Sequence, residues 1–129
     1  MCIRDRIWEQ SAAAYLEVAA TKGTVLHYAK NDHLGLAIQY EYFGVAHNYE
    51  PDFLVKLKDG TTLLLEIKGQ EDNRDRAKHD AAHRWVSAVN NWGKLGKWAL
   101  HVCRNPNLIQ RELEYILQMP GRTEPVAEA

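Results

Sequence analysis

The chain has 129 residues, with sixteen Lys and Arg against seventeen Asp and Glu and a formal net charge of −1 with His neutral. That length suits one domain; the 46% hydrophobic and 26% charged fractions exclude disorder and collagen-like repeats, and no apolar run approaches the roughly 20 residues of a membrane helix. Balanced charge argues against a nucleic-acid binder held by electrostatics alone, and two cysteines, Cys2 and Cys103, make neither a disulfide framework nor a metal-ligand spacing, as expected in a reducing compartment.

Residues 1–6, Met-Cys-Ile-Arg-Asp-Arg, lack the apolar core and cleavage site of a signal peptide. They resemble translated sequencing adapter and are read as a non-native leader, which would make the chain a fragment whose natural start lies upstream. The expected domain is 7–119, with 120–129 as a flexible tail after Pro120-Gly121. Helical spacing over 7–20 gathers Trp8, Ala12, Tyr15, Leu16 and Ala19 on one stripe, and Lys22-Gly23 ends it. Residues 24–28 and 36–43, rich in β-branched and aromatic side chains, read as strands. A hairpin over 53–57 and 62–68 follows. Then comes a helix over about 75–91, capped by Asn73 or Asp72, with Ala77, Ala81, Trp85, Ala88, Val89 and Trp92 on its inner stripe. Gly93 to Lys97 is a loop without the spacing of a phosphate-binding GxxxxGK[ST] motif. A strand over 98–103 and a helix over 108–117 close the order α-β-β-β-β-α-β-α. Both faces of Leu63-Leu64-Leu65 are apolar, so that strand is expected at the centre of a sheet covered on two sides. The predicted fold class is α/β, an α/β/α sandwich with a mixed central sheet.

The informative stretch is Tyr49-Glu50-Pro51-Asp52-Phe53 followed by Leu65-Glu66-Ile67-Lys68-Gly69. Period-2 alternation puts Glu66 and Lys68 on one face and Leu63, Leu65 and Ile67 on the other. A two-residue Asp59-Gly60 loop would set Asp52 opposite Ile67, and the carboxylates would point apart. A three-residue Lys58-Asp59-Gly60 loop sets Asp52 opposite Glu66. This second loop is a type I turn with a G1 bulge, which wants glycine at its third position, where Gly60 stands. Opposed residues have Cβ atoms roughly 4.5–5.5 Å apart, so that register makes a carboxylate pair with an ammonium beside it. Two close carboxylates repel unless a cation lies between them. Mg²⁺, which takes oxygen ligands and keeps several waters, fits.

Pro51-Asp52, thirteen residues, then Glu66-Ile67-Lys68 resembles the PD-(D/E)xK nuclease superfamily. More narrowly, Trp8-Glu9, Tyr28-Ala29-Lys30-Asn31-Asp32, the Tyr49–Val55 and Leu65–Gly69 blocks, and Trp85-Val86-Ser87-Ala88-Val89-Asn90 resemble the C-terminal endonuclease domain of type III restriction enzyme Res subunits. The resemblance implies a restriction-endonuclease-like fold and a cytoplasmic, Mg²⁺-dependent DNA endonuclease acting in phage defence. It implies that Asp52 and Glu66 bind the metal and that Lys68 assists hydrolysis. It further implies double-stranded DNA as substrate, an upstream ATP-driven helicase-like motor in the same polypeptide and a modification (methyltransferase) subunit as partners. The superfamily often adds an acid from the first helix. Glu9 flanks the buried stripe and can reach the sheet, whereas Glu17 points away; the plain alternative makes Glu9 a helix-start glutamate.

Other residues carry weaker signals. Lys78, Lys30 and Arg74 are candidate phosphate contacts, Lys78 foremost, because the helix after the ExK strand borders the site in similar nucleases. Exposed charges usually only face water. His79 and His83, at i, i+4, lack the partners of a zinc site and are expected on the exposed helix face. Tyr49 and Tyr42 could line the site or only pack. Trp85, Trp92 and Trp98 are expected as core or boundary aromatics. Two rival readings stand beside the restriction enzyme: another helicase–nuclease fusion in defence or repair, and a non-catalytic DNA-binding or docking module on the same fold.

Overall fold

Leu63, Leu64 and Leu65 decide where the sheet is centred, because all three are fully or almost fully removed from solvent and each such burial contributes roughly 1.5–3 kcal/mol. In the computed structural model, which describes residues 3–31, 34–68 and 73–118 (without the side chains of 3–6, 8 and 9), they lie in β5, Thr62–Ile67. The other elements are α1 (Ile3–Thr21), β1 (Val25–Lys30), β2 (Ile38–Tyr42), β3 (Val45–Tyr49), β4 (Phe53–Leu57), α2 (Asn73–Trp92), β6 (Trp98–Cys103), a 3-10 turn (Pro106–Leu108) and α3 (Ile109–Gln118). The main sheet has the order β1-β4-β5-β6, antiparallel except for the parallel β5–β6 pair. It is mixed because α2 carries the chain back between β5 and β6, a crossover that a parallel pair requires.

Two cores form on its two faces. Leu63, Leu65, Ile67, Phe53, Val55 and Cys103 pack with Ala12, Leu16 and Ala19 of α1 and Ile109, Leu113 and Ile116 of α3. Leu64 and Leu100 pack on the other side with Ala81, Ala82 and Val86 of α2 and with Ile38, Tyr40 and Tyr49. The protein is therefore mixed α/β, with a mixed sheet and helices on both faces. The α1 stripe falls as expected at Ala12, Leu16 and Ala19. The helix ends in a Schellman arrangement around Gly23, φ +83°, with Thr24 N–H donating to Ala19 O and Gly23 N–H to Ala20 O, both at 3.1 Å. Trp8 and Asp72 fall on positions whose side chain or backbone lies outside the described residues, as does the expected tail after Pro120-Gly121.

Three expectations need correction. The order is α-β-β-β-β-β-α-β-α, because the predicted strand over 36–43 is half of a separate hairpin, β2–β3, with Tyr42 opposite Val45. Its two-residue turn, Phe43-Gly44, has φ +51° and +75°, and positive φ at both positions is what a type I′ turn requires. The inner stripe of α2 holds at Ala81 and Val89, with Ala77 and Trp85 half-buried beside it, and fails at its last positions and its first turn. Ala88 is exposed and Trp92 is 59% exposed, while Asp75, His79, Ala82 and Val86 are buried along with the expected Ala81 and Val89. His79 is consequently buried rather than solvated. Trp85 and Trp98 do form a boundary pair, edge-to-face at 5.2 Å.

Phe43 is 88% exposed and left-handed, a conformation costing a side chain with a Cβ roughly 1–2 kcal/mol that glycine avoids. Phe43→Gly is expected to raise stability by about 1 kcal/mol, read as a higher urea midpoint with an unchanged slope; a lower midpoint would contradict this turn geometry.

Candidate active site

The hairpin turn comes first, because it sets which side chains meet. Leu57 N–H donates to Thr61 O at 2.9 Å, Gly60 N–H donates to Leu57 O at 2.9 Å, and Gly60 has φ +94°. Asp59 Oδ1 accepts from Thr61 N–H at 2.9 Å. This is the three-residue loop, and the ladder running from it pairs Lys56 with Thr62, Leu54 with Leu64 and Phe53 with Leu65. Continued by one step, the register sets Asp52 opposite Glu66, on the face of Leu64 rather than of Leu63 and Leu65.

Asp52 is held from both neighbouring strands. Its carbonyl accepts from Asn31 N–H at 2.9 Å, just past β1, and its Oδ2 accepts from Ile67 N–H at 2.9 Å on β5. The buried Asn31 also donates its amide to Leu36 O at 2.9 Å, which ties residue 36 to the strand end that holds the Asp52 backbone. Glu66 is only 7% exposed, and its Oε1 has no hydrogen-bond partner among the described residues. Burial first, and then the charge of Asp52, push its carboxyl well above the usual carboxylate range, with the nearby Tyr49 and then Lys78 acting in the opposite sense. Tyr49, the last residue of β3, is buried against it. Its hydroxyl meets no hydrogen-bond geometry among the described residues. Burial and the nearby charges of Glu66, Asp52 and Asp75 drive its ionisation well above the ordinary tyrosine value. The ring packs edge-on against His79, centroids 6.1 Å apart.

Lys68 follows β5, and its N–H donates to Cys103 O at 3.0 Å, extending the parallel ladder so that it keeps the face of Glu66. Its ammonium lies 3.8 Å from Oδ2 of Asp75, in the first turn of α2. Lys78, one helical turn further, lies 3.8 Å from Oδ1 of the same carboxylate and 5.9 Å from the centre of the Tyr49 ring. The register sets Asp52 opposite Glu66, Lys78 lies over the ring of the buried Tyr49, and Asp75 links Lys68 to Lys78; Asp75 and His79 were not among the residues expected at the site. The Asp75-x-x-Lys78 spacing, an i, i+3 ion pair opening the helix after Glu66-Ile67-Lys68, was the available signal for Asp75.

The remaining candidates stand apart. Lys30 is exposed at the end of β1 and pairs with Phe53, so the pleat puts it on the α1 side, opposite the face of Glu66. Arg74 docks on the β2–β3 hairpin, its Nε donating to Tyr40 OH at 2.8 Å, with its guanidinium 3.3 Å from His47 Nδ1. Glu17 is exposed as expected and accepts from the Tyr28 hydroxyl at 2.7 Å. The Glu9 side chain lies outside the described residues. On the opposite face of the sheet, burial and the neighbouring Glu112 push the Cys103 thiol up to about 12, which leaves it protonated and unreactive at neutral pH.

Chemically, the cluster offers two hard oxygen donors facing one another, with two ammoniums at their margin. Among the described residues, no three His, Cys, Asp or Glu side chains converge as a ready-made metal cage, and no helix is long and apolar enough to cross a membrane. Compared with protein-family models, curated proteins and solved structures, the chain finds no match.

Proposed function

We propose that this domain is a Mg²⁺-dependent DNA endonuclease of the restriction-endonuclease-like α/β/α fold, the nuclease part of a type III restriction enzyme Res subunit. The observation that carries the proposal is the β4–β5 register, which sets Asp52 opposite Glu66 with Lys68 two residues further along the same face. The donor set suits a hard divalent ion: two carboxylates, one of them with a buried oxygen lacking a hydrogen-bond partner among the described residues. Mg²⁺ commonly takes only one or two protein carboxylates and keeps waters for the rest of its shell, so a third protein ligand is not required. When bound, such an ion polarises a phosphate and lowers the pKa of a coordinated water.

The chain's own residues do the positioning. Asp52, fixed through its carbonyl and its carboxylate, and Glu66, fixed on the central strand, present their oxygens toward one place. Lys68 supplies a compact positive charge to hold a phosphate oxygen or orient an attacking water. Lys78, beside the Tyr49 ring, supplies a second phosphate contact. With a net charge of −1, the domain relies on a helicase-like motor in the same polypeptide and on a methyltransferase partner for most of its grip on duplex DNA. A helicase–nuclease fusion outside the type III class would use the same residues in the same way, and the upstream sequence distinguishes the two.

Calorimetric titration with Mg²⁺, alongside plasmid nicking at low ionic strength, tests the reading. The intact chain is expected to bind the ion and nick DNA. Asp52→Asn, Glu66→Gln and Lys68→Ala are each expected to lower nicking at least about 100-fold, and the first two also to lose the ion. A second reading, a non-catalytic DNA-binding module, is favoured by the two-carboxylate site without a third protein ligand among the described residues. DNA binding by the unaltered chain with no nicking in Mg²⁺ above that in EDTA would decide for it.

A further inference from the structure

Lys68 carries the positive charge nearest in sequence to the carboxylate pair, yet among the described residues its ion pair is with Asp75 and not with Glu66 or Asp52. Asp75 is only 4% exposed, and it divides its two oxygens between the ammoniums of Lys68 and Lys78, each at 3.8 Å. A flexible four-carbon stem two residues from Glu66, on the same face, reaches that carboxylate equally well by chain length. A free ammonium would be drawn there, because the buried Glu66 stands opposite the half-buried Asp52 and holds an oxygen without a hydrogen-bond partner among the described residues.

Resting on the metal reading above, we infer that Asp75 is a positioning residue: its buried carboxylate latches Lys68, with Lys78, away from the Asp52–Glu66 pair and so keeps that place open to a divalent cation. Without the latch, Lys68 becomes an internal competitor for the place the ion would take. Asp75 touches neither reacting atoms nor metal in this scheme. It acts through Lys68.

The test is a double-variant cycle on the full chain, read by calorimetric Mg²⁺ affinity, with thermal melting in EDTA as the check on folding. Asp75→Asn is expected to weaken Mg²⁺ binding about tenfold, the lower range for residues that act behind metal ligands. Adding Lys68→Met to Asp75→Asn is expected to restore the affinity, since the competitor is gone. Asp75→Glu, which keeps the charge, is expected to bind as the unaltered chain does, and Asp75→Ser serves the same comparison should the asparagine not fold. Unchanged affinity in Asp75→Asn overturns the latch. So does a loss that Lys68→Met fails to restore, which would make Asp75 a ligand or a purely structural residue. A wild-type chain that takes up no Mg²⁺ overturns the metal reading itself, and the latch with it, an outcome distinct from the other two.

Discussion

Replacing Glu66 by Gln is expected to stabilise the metal-free fold at alkaline pH while abolishing cleavage. Glu66 stands 7% exposed beside Asp52, and burial followed by that neighbouring charge raises its pKa well above the ordinary value of 4.5. In the unfolded chain the carboxyl ionises in its ordinary range. Between the two pKa values the folded chain therefore holds a proton that the unfolded chain has released, and stability falls as pH rises. This contribution is fully present below the unfolded pKa and is lost as pH climbs through the folded one. Glutamine keeps the shape and cannot ionise, so its stability should lack that slope and exceed the wild type by about 1 kcal/mol at pH 8, the low end for neutralising a poorly compensated buried charge.

On the proposed metal reading, Mg²⁺ is expected to reverse the ranking. An ion that binds only the folded state stabilises it by about 2.7 kcal/mol at a hundred times its Kd, a gain open to the wild type and closed to Glu66→Gln. Thermal melts across pH 5 to 9, in EDTA and in excess Mg²⁺, separate the two effects. A wild type that is as stable at pH 9 as at pH 5 in EDTA, or a variant that gains from Mg²⁺, would remove the role assigned to Glu66. Opposite movement of stability and activity is the signature of a site whose strain is relieved by its ligand.

Particular residues explain which parts of this were legible in the sequence. Gly60 made the hairpin register readable, because only a glycine at the third loop position fits the bulged turn, and the register then placed Asp52 against Glu66 without any structure. The three consecutive leucines likewise announced the central strand. The β2–β3 hairpin stayed hidden, since its type I′ turn uses Phe43 where asparagine, aspartate or glycine is the readable signal. A bulky aromatic there looks like the continuation of a strand. The face of α2 is legible only in part, for a different reason. Its buried positions are Asp75, His79, Ala81, Ala82, Val86 and Val89; a search for apolar side chains finds Ala81 and Val89 but skips the two polar residues and drifts to Ala88 and Trp92. Those two polar residues are inside where Asp75 meets the ammoniums of Lys68 and Lys78 and His79 meets the Tyr49 ring. Apolar patterning fails where polar side chains are buried in ion pairs and ring contacts.

The largest loss of stability is expected from Phe53→Ala, at about 3–5 kcal/mol, against a total of roughly 5–15 kcal/mol for a domain of this kind. Phe53 is 1% exposed in β4, bridged by register to Lys30 on β1 and Leu65 on β5, and sits in the core under α1 and α3. Truncation removes its transfer free energy and leaves a cavity that three paired strands cannot collapse to fill. The damage should extend to the site, because Asp52 is the next residue and its orientation depends on the β4 backbone staying in register with Ile67. Phe53→Leu, which keeps most of the volume, should cost about 1 kcal/mol and leave Mg²⁺ affinity intact. Phe43→Ala, the same truncation at an exposed turn, should fall within about 0.5 kcal/mol of the wild type. Urea unfolding of the three variants ranks them directly. A cost below about 1 kcal/mol for Phe53→Ala would mean that β4 does not lie inside the sheet, and an edge position for β4 could not hold Asp52 against the central strand.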